Sequence, residues 1–133
     1  PPRSTLFPYT TLFRSHNEPA LIALARALDA LGLRPAGLIF ACLKDKDLPA
    51  MLPLVQGLTD GPILVPELPG NERALSAQDL AGRLGPRARA VADLDAALNL
   101  LAGSKGRVLL CGSLYLLAEF YTKHPRFLTR PAT

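Results

Sequence analysis

The stretch that decides the fold is RVLLCGS, residues 107–113, which continues without a break into LYLLAEFYTKH, residues 114–124. The run VLLCG is apolar or small throughout, which predicts a strand covered on both faces, as in a parallel sheet. The apolar spacing of the segment after it predicts a helix. Gly112 and Ser113 therefore mark the point where a buried strand turns directly into a helix.

Three further short apolar runs precede this strand: GLIFACL at 37–43, ILV at 63–65 and the weaker ARAVA at 88–92. Segments with helical apolar spacing separate them, so the predicted order is α-β-α-β-α-β-α-β-α. Strict alternation with short apolar strands predicts an α/β fold of three α/β/α layers around a mostly parallel, Rossmann-like sheet. The sequence does not reveal the strand order.

The ends of the helices carry recognisable signals. Polar residues suited to N-caps are Asn17, Ser76 and Asp93, and glycines suited to helix stops are Gly32 and Gly103. A helix is also predicted from Asp47, and Pro53 inside it predicts a kink or an early end. The first helix has an apolar stripe predicted to face inward, formed by Leu21, Ile22, Leu24, Ala25, Leu28 and Leu31.

Two loops are placed where a ligand would bind, because open parallel α/β sheets bind ligands beyond the carboxyl ends of their strands. One is KDKD, residues 44–47, and the other is CGSLY, residues 111–115. Gly112 lets the backbone turn sharply and come close to a ligand. Ser113 places a hydroxyl at a helix N-terminus, where free N–H groups favour an anion.

Lys46 adds an ammonium group to the same rim, so the two loops together predict a receptor for a carboxylate or a phosphate. The alternative is that Asp47 and Ser113 are ordinary helix caps and that Lys44 and Lys46 are solvated charges. Both interpretations fit the spacing.

The sequence contains no recognisable catalytic set: it has no glycine-rich phosphate loop, no Cys/His cluster with metal-ligand spacing and no Ser/His/Asp arrangement. Its two histidines are His16, beside a predicted helix start, and His124, predicted to lie on a solvated helix face. We interpret the chain as a binding domain of a larger enzyme, without catalytic residues or metal ligands of its own.

Composition excludes several other classes. The formal net charge is +4, of which Arg3 and Arg14 contribute two charges. Other basic residues lie in loops or at the ends of predicted elements without interleaved aromatic residues, namely Arg83, Arg87, Arg89, Lys105 and Arg107. This favours a solvated rim over a nucleic-acid surface. Cys42 and Cys111 fall inside apolar runs, as expected of buried thiols in a reducing cytoplasm. No apolar run approaches the ~20 residues of a membrane-spanning helix, so we expect no membrane association.

The first fifteen residues, PPRSTLFPYTTLFRS, differ in character from the rest and contain no carboxylate. They resemble a sequencing adapter translated in one frame. We therefore interpret residues 1–15 as a non-native segment, residues 16–124 as the domain and residues 125–133 as a frayed tail. The alternative is a genuine N-terminal arm or edge strand.

Four motifs in order, HNEP, ACLKDKD, ERALSAQDL and VLLCGSLYLLAEF, resemble the C-terminal domain of folylpolyglutamate synthase/dihydrofolate synthase, a Mur-ligase-like enzyme. The similarity covers residues 16–120. The family motif at the start reads D-x-A-H-N-P, and only His16 and Asn17 match it here, with Glu18 before Pro19. The missing Asp is what the adapter-like segment would have replaced.

The resemblance implies the ATP-dependent ligation of L-glutamate to folate or dihydropteroate through an acyl phosphate. It implies that ATP and Mg²⁺ are bound mainly by a missing ATPase domain on the N-terminal side, while this domain binds glutamate and closes over the nucleotide. By position, Lys46 and Ser113 would hold the glutamate carboxylates. The remaining candidates for substrate contact are His16, Asn17 and Tyr115.

Two alternatives stay open at this point. One is the C-terminal domain of a peptidoglycan Mur ligase, although KDKD and CGSLY fit the folate branch better. The other is a free-standing, non-catalytic α/β binding module. A phosphate loop encoded upstream in the same reading frame would eliminate the binding module.

Overall fold

A computed structural model describes residues 10–12, 17–44 and 46–124, except for the side chains of residues 10–12, 114 and 115. The strands are β1 (Thr10–Leu12), β2 (Gly37–Ala41), β3 (Ile63–Pro66), β4 (Ala88–Val91) and β5 (Val108–Gly112). The helices are α1 (Glu18–Leu31), α2 (Leu48–Gln56), α3 (Ala77–Leu84), α4 (Leu94–Leu101) and α5 (Leu114–Lys123). From α1 onward the order is the predicted one. The predicted tail, residues 125–133, lies outside the described residues.

The sheet has the strand order β1-β5-β2-β3-β4, and every neighbouring pair is parallel. β5 lies beside β2 over its whole length, from Gly37 opposite Val108 to Ala41 opposite Gly112. All residues of β2 and β5 are buried, whereas β4 at the edge is partly exposed. The weaker apolar pattern of the ARAVA run therefore reflects an edge position.

Helices cover both faces of the sheet, which confirms the predicted three layers. One core cluster joins α1, α2 and α3 to one face, and the other joins α4 and α5 to the opposite face. The chain steps from β2 to β3 and β4, then returns past them to β5. Because such crossovers are right-handed, reversing direction along the sheet moves the helices to the other face.

β1 lies within the segment that we interpret as adapter-derived. Its three residues pair in parallel with Val108, Leu109 and Leu110, so the edge strand that the alternative interpretation allowed is present. An exposed strand edge can pair with an extended peptide of unrelated origin. The pairing is therefore compatible with either origin of residues 1–15.

The N-caps predicted from the sequence are confirmed. The side chains of Asn17, Ser76 and Asp93 accept hydrogen bonds from backbone N–H groups three residues ahead, at 3.0, 3.1 and 2.9 Å. Asp47 precedes α2 but makes no such bond. The early end that Pro53 predicted occurs at Gln56.

Two predictions about which side chains are buried and which are exposed to solvent are wrong. Leu31 was expected to face inward but is 70% exposed, because it is the last residue of α1 and the helix is buried only as far as Leu28. His124 was expected on a solvated face. Its ring instead lies 5.0 Å from that of Phe120, and its Nε2 lies 3.9 Å from Oδ1 of Asp95.

Cys42 and Cys111 are buried, as predicted. Burial raises the pKa of the Cys111 thiol to about 12. Such a thiol stays protonated near neutral pH and is a poor nucleophile. Among the described residues, none of the helices has the length and apolar character needed to cross a membrane.

Arg87, which we expected to be simply solvated, holds loops together at the amino edge of the sheet. Its guanidinium donates to the carbonyl oxygens of Gln56, Thr59 and Gly61 at 2.7–2.8 Å. These acceptors belong to the connection that leads into β3, whereas Arg87 precedes β4. The side chain thus fixes the starts of two neighbouring strands.

Candidate functional site

The strand order creates a crevice between β2 and β5 at the carboxyl edge of the sheet. The chain leaves β2 toward α2 on one face and leaves β5 toward α5 on the other. Neighbouring connections that depart to opposite faces form the switch point at which open α/β sheets bind ligands. The two loops selected from the sequence are the two that border this crevice.

Ser113 occupies the N-cap position of α5. Its N–H donates to the carbonyl oxygen of Ala41 at 3.0 Å, and its own carbonyl oxygen accepts from the N–H groups of Leu116 and Leu117 at 3.1 and 3.3 Å. Its side chain is buried, with the residue only 3% exposed. The positive end of α5 therefore faces the carboxyl edge of the sheet directly, while the hydroxyl group lies beneath the surface.

Position 112 requires a glycine because β5 packs closely against the neighbouring strand β2 there. Its φ is +115°, and a Cβ there would overlap the carbonyl oxygen of Ala41 and lie 3.1 Å from the ring of Phe40. We predicted a close approach of this backbone to a ligand. The close approach is present, but its partner is the neighbouring strand β2.

Lys46 lies in the connection from β2 to α2 and is partly exposed. Its N–H donates to the carbonyl oxygen of Leu43 at 3.4 Å, and its carbonyl oxygen accepts from the N–H of Leu48 at 2.8 Å. Because β2 and β5 are adjacent and parallel, Lys46 and Ser113 lie at the same edge of the sheet. The anion receptor inferred from the sequence requires this arrangement.

The other predicted site residues are less informative. Asn17 caps α1, with its Oδ1 occupied by the N–H of Ala20. Tyr115 lies in the first turn of α5, but its side chain is outside the description, and His16 is outside the described residues. The structure thus places Lys46 and Ser113 at the same edge of the sheet and gives Asn17 a capping contact.

The sequence did not indicate that the loop between β3 and α3, residues 67–76, also contributes to this edge of the sheet. A cavity of about 180 Å³ is lined by Lys44 and by residues of this loop, among them Glu67, Asn71 and Ser76. Glu67 is oriented by the backbone N–H of Ala77, which donates to its Oε1 at 2.6 Å. The signal available in the sequence was the polar run GNER, which begins at Gly70, after the three intervening residues Glu67, Leu68 and Pro69 that follow β3.

Within the part of the chain that the structure describes, no group of three or more His, Cys, Asp or Glu side chains could hold a metal ion. Lys46 and the N-terminus of α5, which both lie at this edge, are groups that suit an anion.

Comparison with solved structures gives consistent neighbours. E. coli FolC in complex with ADP superposes with a TM-score of 0.76 at 23% identity, over 92% of this chain and 30% of that one. Folylpolyglutamate synthase of Mycobacterium tuberculosis, complexed with ADP and AMPPCP, superposes with a TM-score of 0.69 at 26% identity, over 91% of this chain and 30% of that one. The bifunctional folylpolyglutamate synthase/dihydrofolate synthase of Yersinia pestis, complexed with AMPPNP and Mn ion, superposes with a TM-score of 0.78 at 25% identity, over 89% of this chain and 29% of that one.

Neither the family models nor the curated protein sequences match the chain. The chain spans about 30% of the length of the solved structures named above. Its fold is nevertheless the fold of one region in each of them. The structural neighbours of this chain are thus folylpolyglutamate synthases, which confirms the resemblance found in the sequence motifs.

Proposed function

We propose that this chain is the glutamate-binding part of a folylpolyglutamate/dihydrofolate synthase. In this proposal the whole protein joins L-glutamate to folate or dihydropteroate in an ATP-dependent reaction. The observation that supports the proposal is that β2 and β5 are neighbours in the sheet, so that the segments after them, which contain Lys46 and Ser113, start at the same edge. The named structural neighbours support the choice of the folate branch over a peptidoglycan Mur ligase.

The chemistry of the crevice suits a dicarboxylic amino acid. The Lys46 ammonium acts as a compact positive charge for one carboxylate. The N-terminus of α5, which begins after Ser113, offers the positive end of a ten-residue helix to a second anionic group. With its carboxylates held, the amino group of glutamate would be left free to attack an activated carboxyl group.

The nucleotide and its metal are proposed to be bound mainly by another part of the whole protein. ATP, when bound, supplies the phosphoryl group that activates the folate carboxylate as an acyl phosphate. This chain would contribute by presenting glutamate and by covering the reacting groups. Closure protects an acyl phosphate because it excludes the water that would hydrolyse it.

His16, Asn17 and Tyr115 have lesser roles in the proposal. His16 and Asn17 would lie where this domain meets the nucleotide-binding domain, and Asn17 would also keep its capping bond to Ala20. Tyr115 would contact glutamate from the first turn of α5. We expect the 133-residue chain to have no ligase activity by itself, and ATP-dependent glutamate addition by the purified chain would refute this.

The test is steady-state kinetics of Lys46→Ala in the full-length ligase that carries this domain. Removing one charged contact to a carboxylate predicts an increase in the KM for L-glutamate of about tenfold or more. The matched control is Lys105→Ala, because Lys105 is exposed and precedes β5 at the opposite edge of the sheet. An unchanged KM for glutamate in Lys46→Ala would remove the assigned role.

A further inference from the structure

The loop that carries Lys46 is hydrogen-bonded to the loop between β3 and α3. Leu43 and Ala74 form an isolated antiparallel bridge outside the sheet. The N–H of Lys44 donates to the carbonyl oxygen of Arg73 at 2.8 Å, and the N–H of Leu75 donates to that of Cys42 at 2.8 Å. The backbone on both sides of Leu43 is therefore fixed by a second loop, which we call the β3–α3 loop (residues 67–76).

One backbone contact of Lys46 leads to this link: its N–H donates to the carbonyl oxygen of Leu43 at 3.4 Å, which is long for such a hydrogen bond. Its carbonyl oxygen accepts from the N–H of Leu48, at the start of α2, at 2.8 Å. Lys46 is thus held between the start of α2 and Leu43, and Leu43 is joined to Ala74 by its bridge. A disturbance in the β3–α3 loop is expected to reach Lys46 by this route.

Asn71 shapes the β3–α3 loop. Its N–H donates to Leu68 at 3.3 Å, its carbonyl oxygen accepts from Ala74 at 3.1 Å, and its side-chain Oδ1 accepts from the N–H of Arg73 at 3.0 Å. The bond from Arg73 fixes which terminal atom of the amide is the oxygen. Nδ2 is buried without a hydrogen-bond partner among the described residues, so the side chain acts through its oxygen.

We propose that Asn71 is a positioning residue for glutamate binding. Its Oδ1 holds the turn that presents the Arg73 carbonyl oxygen to Lys44, and the bridge between the loops in turn places Lys46 beside the crevice. This inference rests on the proposed function, because it assumes that Lys46 binds glutamate. It adds that the affinity for glutamate depends on a residue of the β3–α3 loop that does not itself touch the ligand.

The experiment compares variants of the 133-residue chain by NMR, with L-glutamate as the titrant and L-glutamine as the control ligand. Asn71→Ala removes the acceptor and is expected to weaken glutamate binding at least about threefold. It should also speed amide exchange at Lys44 and Leu75 about tenfold, because both donate in the link. Asn71→Ser keeps a neutral but weaker acceptor oxygen for the same turn, and its affinity and exchange are expected to lie between those of Asn71→Ala and wild type.

Asn99→Ala is the matched control, because Asn99 is exposed on α4 on the other face of the sheet. Glutamate binding by Asn71→Ala with wild-type affinity would overturn the inference and leave the proposed function intact. A loss of affinity in folded Asn71→Ser equal to that in Asn71→Ala would also overturn it. A wild-type chain that shows no shift at Lys46 with glutamate contradicts the proposed function instead.

A measurement on the unsubstituted chain covers the case in which Asn71→Ala does not fold. Coupling between two events is reciprocal, so saturating glutamate must slow amide exchange at Lys44 and Leu75 if the link supports binding. Unchanged exchange at both amides, with glutamate bound, would overturn the inference. The exchange of a core amide such as that of Leu110 serves as the internal reference.

Discussion

The two edges of the sheet are built differently. At the amino edge, side chains close the loops: Arg87 donates to three carbonyl oxygens, and the buried hydroxyl of Thr59 donates to Pro35 at 2.6 Å. Arg34 adds an ion pair with Asp60, with Nη2 and Oδ1 2.8 Å apart. The contacts described at this edge satisfy backbone groups, and they fix where the strands begin.

At the carboxyl edge beside β2 and β5, backbone bonds do most of the closing. Ser113 bonds to Ala41 through its N–H, and the loops at Lys44 and Leu75 are joined by main-chain bonds. Lys46 and the N-terminus of α5 both lie at this edge, which is the edge where ligands bind in open parallel sheets. Side-chain contacts thus fix the strand starts at the amino edge, whereas the carboxyl edge is the one at which we propose that glutamate binds.

The largest expected effect tests how tightly the carboxyl edge is packed. Gly112→Ala should lower the free energy of unfolding by about 3 kcal/mol or more, because a Cβ would overlap Ala41 at a positive φ. Urea denaturation measures it. Gly82→Ala is the control, since an open glycine within α3 should gain about 0.5–1 kcal/mol on this change. Equal stability of Gly112→Ala and wild type would contradict the packing described at this edge.

At the amino edge, Arg87→Ala should lower the free energy of unfolding by about 2 kcal/mol, because its hydrogen bonds to three carbonyl oxygens are lost. This value already allows for the exposure of the side chain to solvent, which weakens such bonds. The substitution should leave glutamate affinity unchanged, because Arg87 lies at the opposite edge from Lys46. Arg89→Ala, at an exposed position of β4, is the matched control and should have little effect on stability. A weakened affinity for glutamate in Arg87→Ala would break the division between the two edges.

These two positions show what the sequence could and could not reveal. The turn at Gly112 was predictable, because an apolar strand running into a helix needs a sharp change of direction there. Its partner Ala41 was not, since the pairing of β2 with β5 depends on a strand order that no local pattern encodes. The role of Arg87 was equally hidden, because its acceptors lie 26–31 residues earlier in the chain.

The candidate site was likewise predictable only where its signals are local in the sequence. Lys46 and Ser113 were chosen because each follows a buried strand, which is a local signal. The β3–α3 loop was missed because its contact with Lys44 is made by backbone atoms across two loops. Helix ends were predicted well at Asn17 and Gly32, where the signal and its partner lie within four residues of each other.

A third prediction concerns the buried thiol beneath the carboxyl edge. Because burial raises the pKa of Cys111 to about 12, the folded protein keeps this proton at pH values where the unfolded chain loses it. Stability is therefore fully present below the unfolded pKa near 9 and falls as the pH rises, by about 1.4 kcal/mol per pH unit. The expected difference is measured as the unfolding free energy at pH 8 and pH 10.

Cys111→Ala lacks this titration and is the reference for the pH experiment. The wild-type chain should lose about 1.4 kcal/mol more than the variant between pH 8 and pH 10. Parallel pH dependence of the two proteins would show that the thiol is not protected as described. Such a result would also weaken the view that β5 is covered on both faces.

The smallest expected effect separates capping from ligand contact at Asn17. Asn17→Ala should lower the free energy of unfolding by about 1 kcal/mol, because the bond to the N–H of Ala20 is lost. Asn17→Ser keeps a capping oxygen and should retain stability. If Asn17 also contacts substrate as proposed, the Ser variant of the full-length ligase should still show altered kinetics. Wild-type kinetics in that stable variant would leave Asn17 with the capping role alone.

The most direct test of the central claim is a crystal structure of this chain grown with L-glutamate. We expect the amino acid to lie between the carboxyl ends of β2 and β5, with one carboxylate within about 3 Å of the Lys46 Nζ and another group at the N-terminus of α5. Glutamate bound elsewhere, for example at the amino edge beside Arg87, would contradict the assignment of the crevice. An empty crevice at saturating glutamate would contradict it equally.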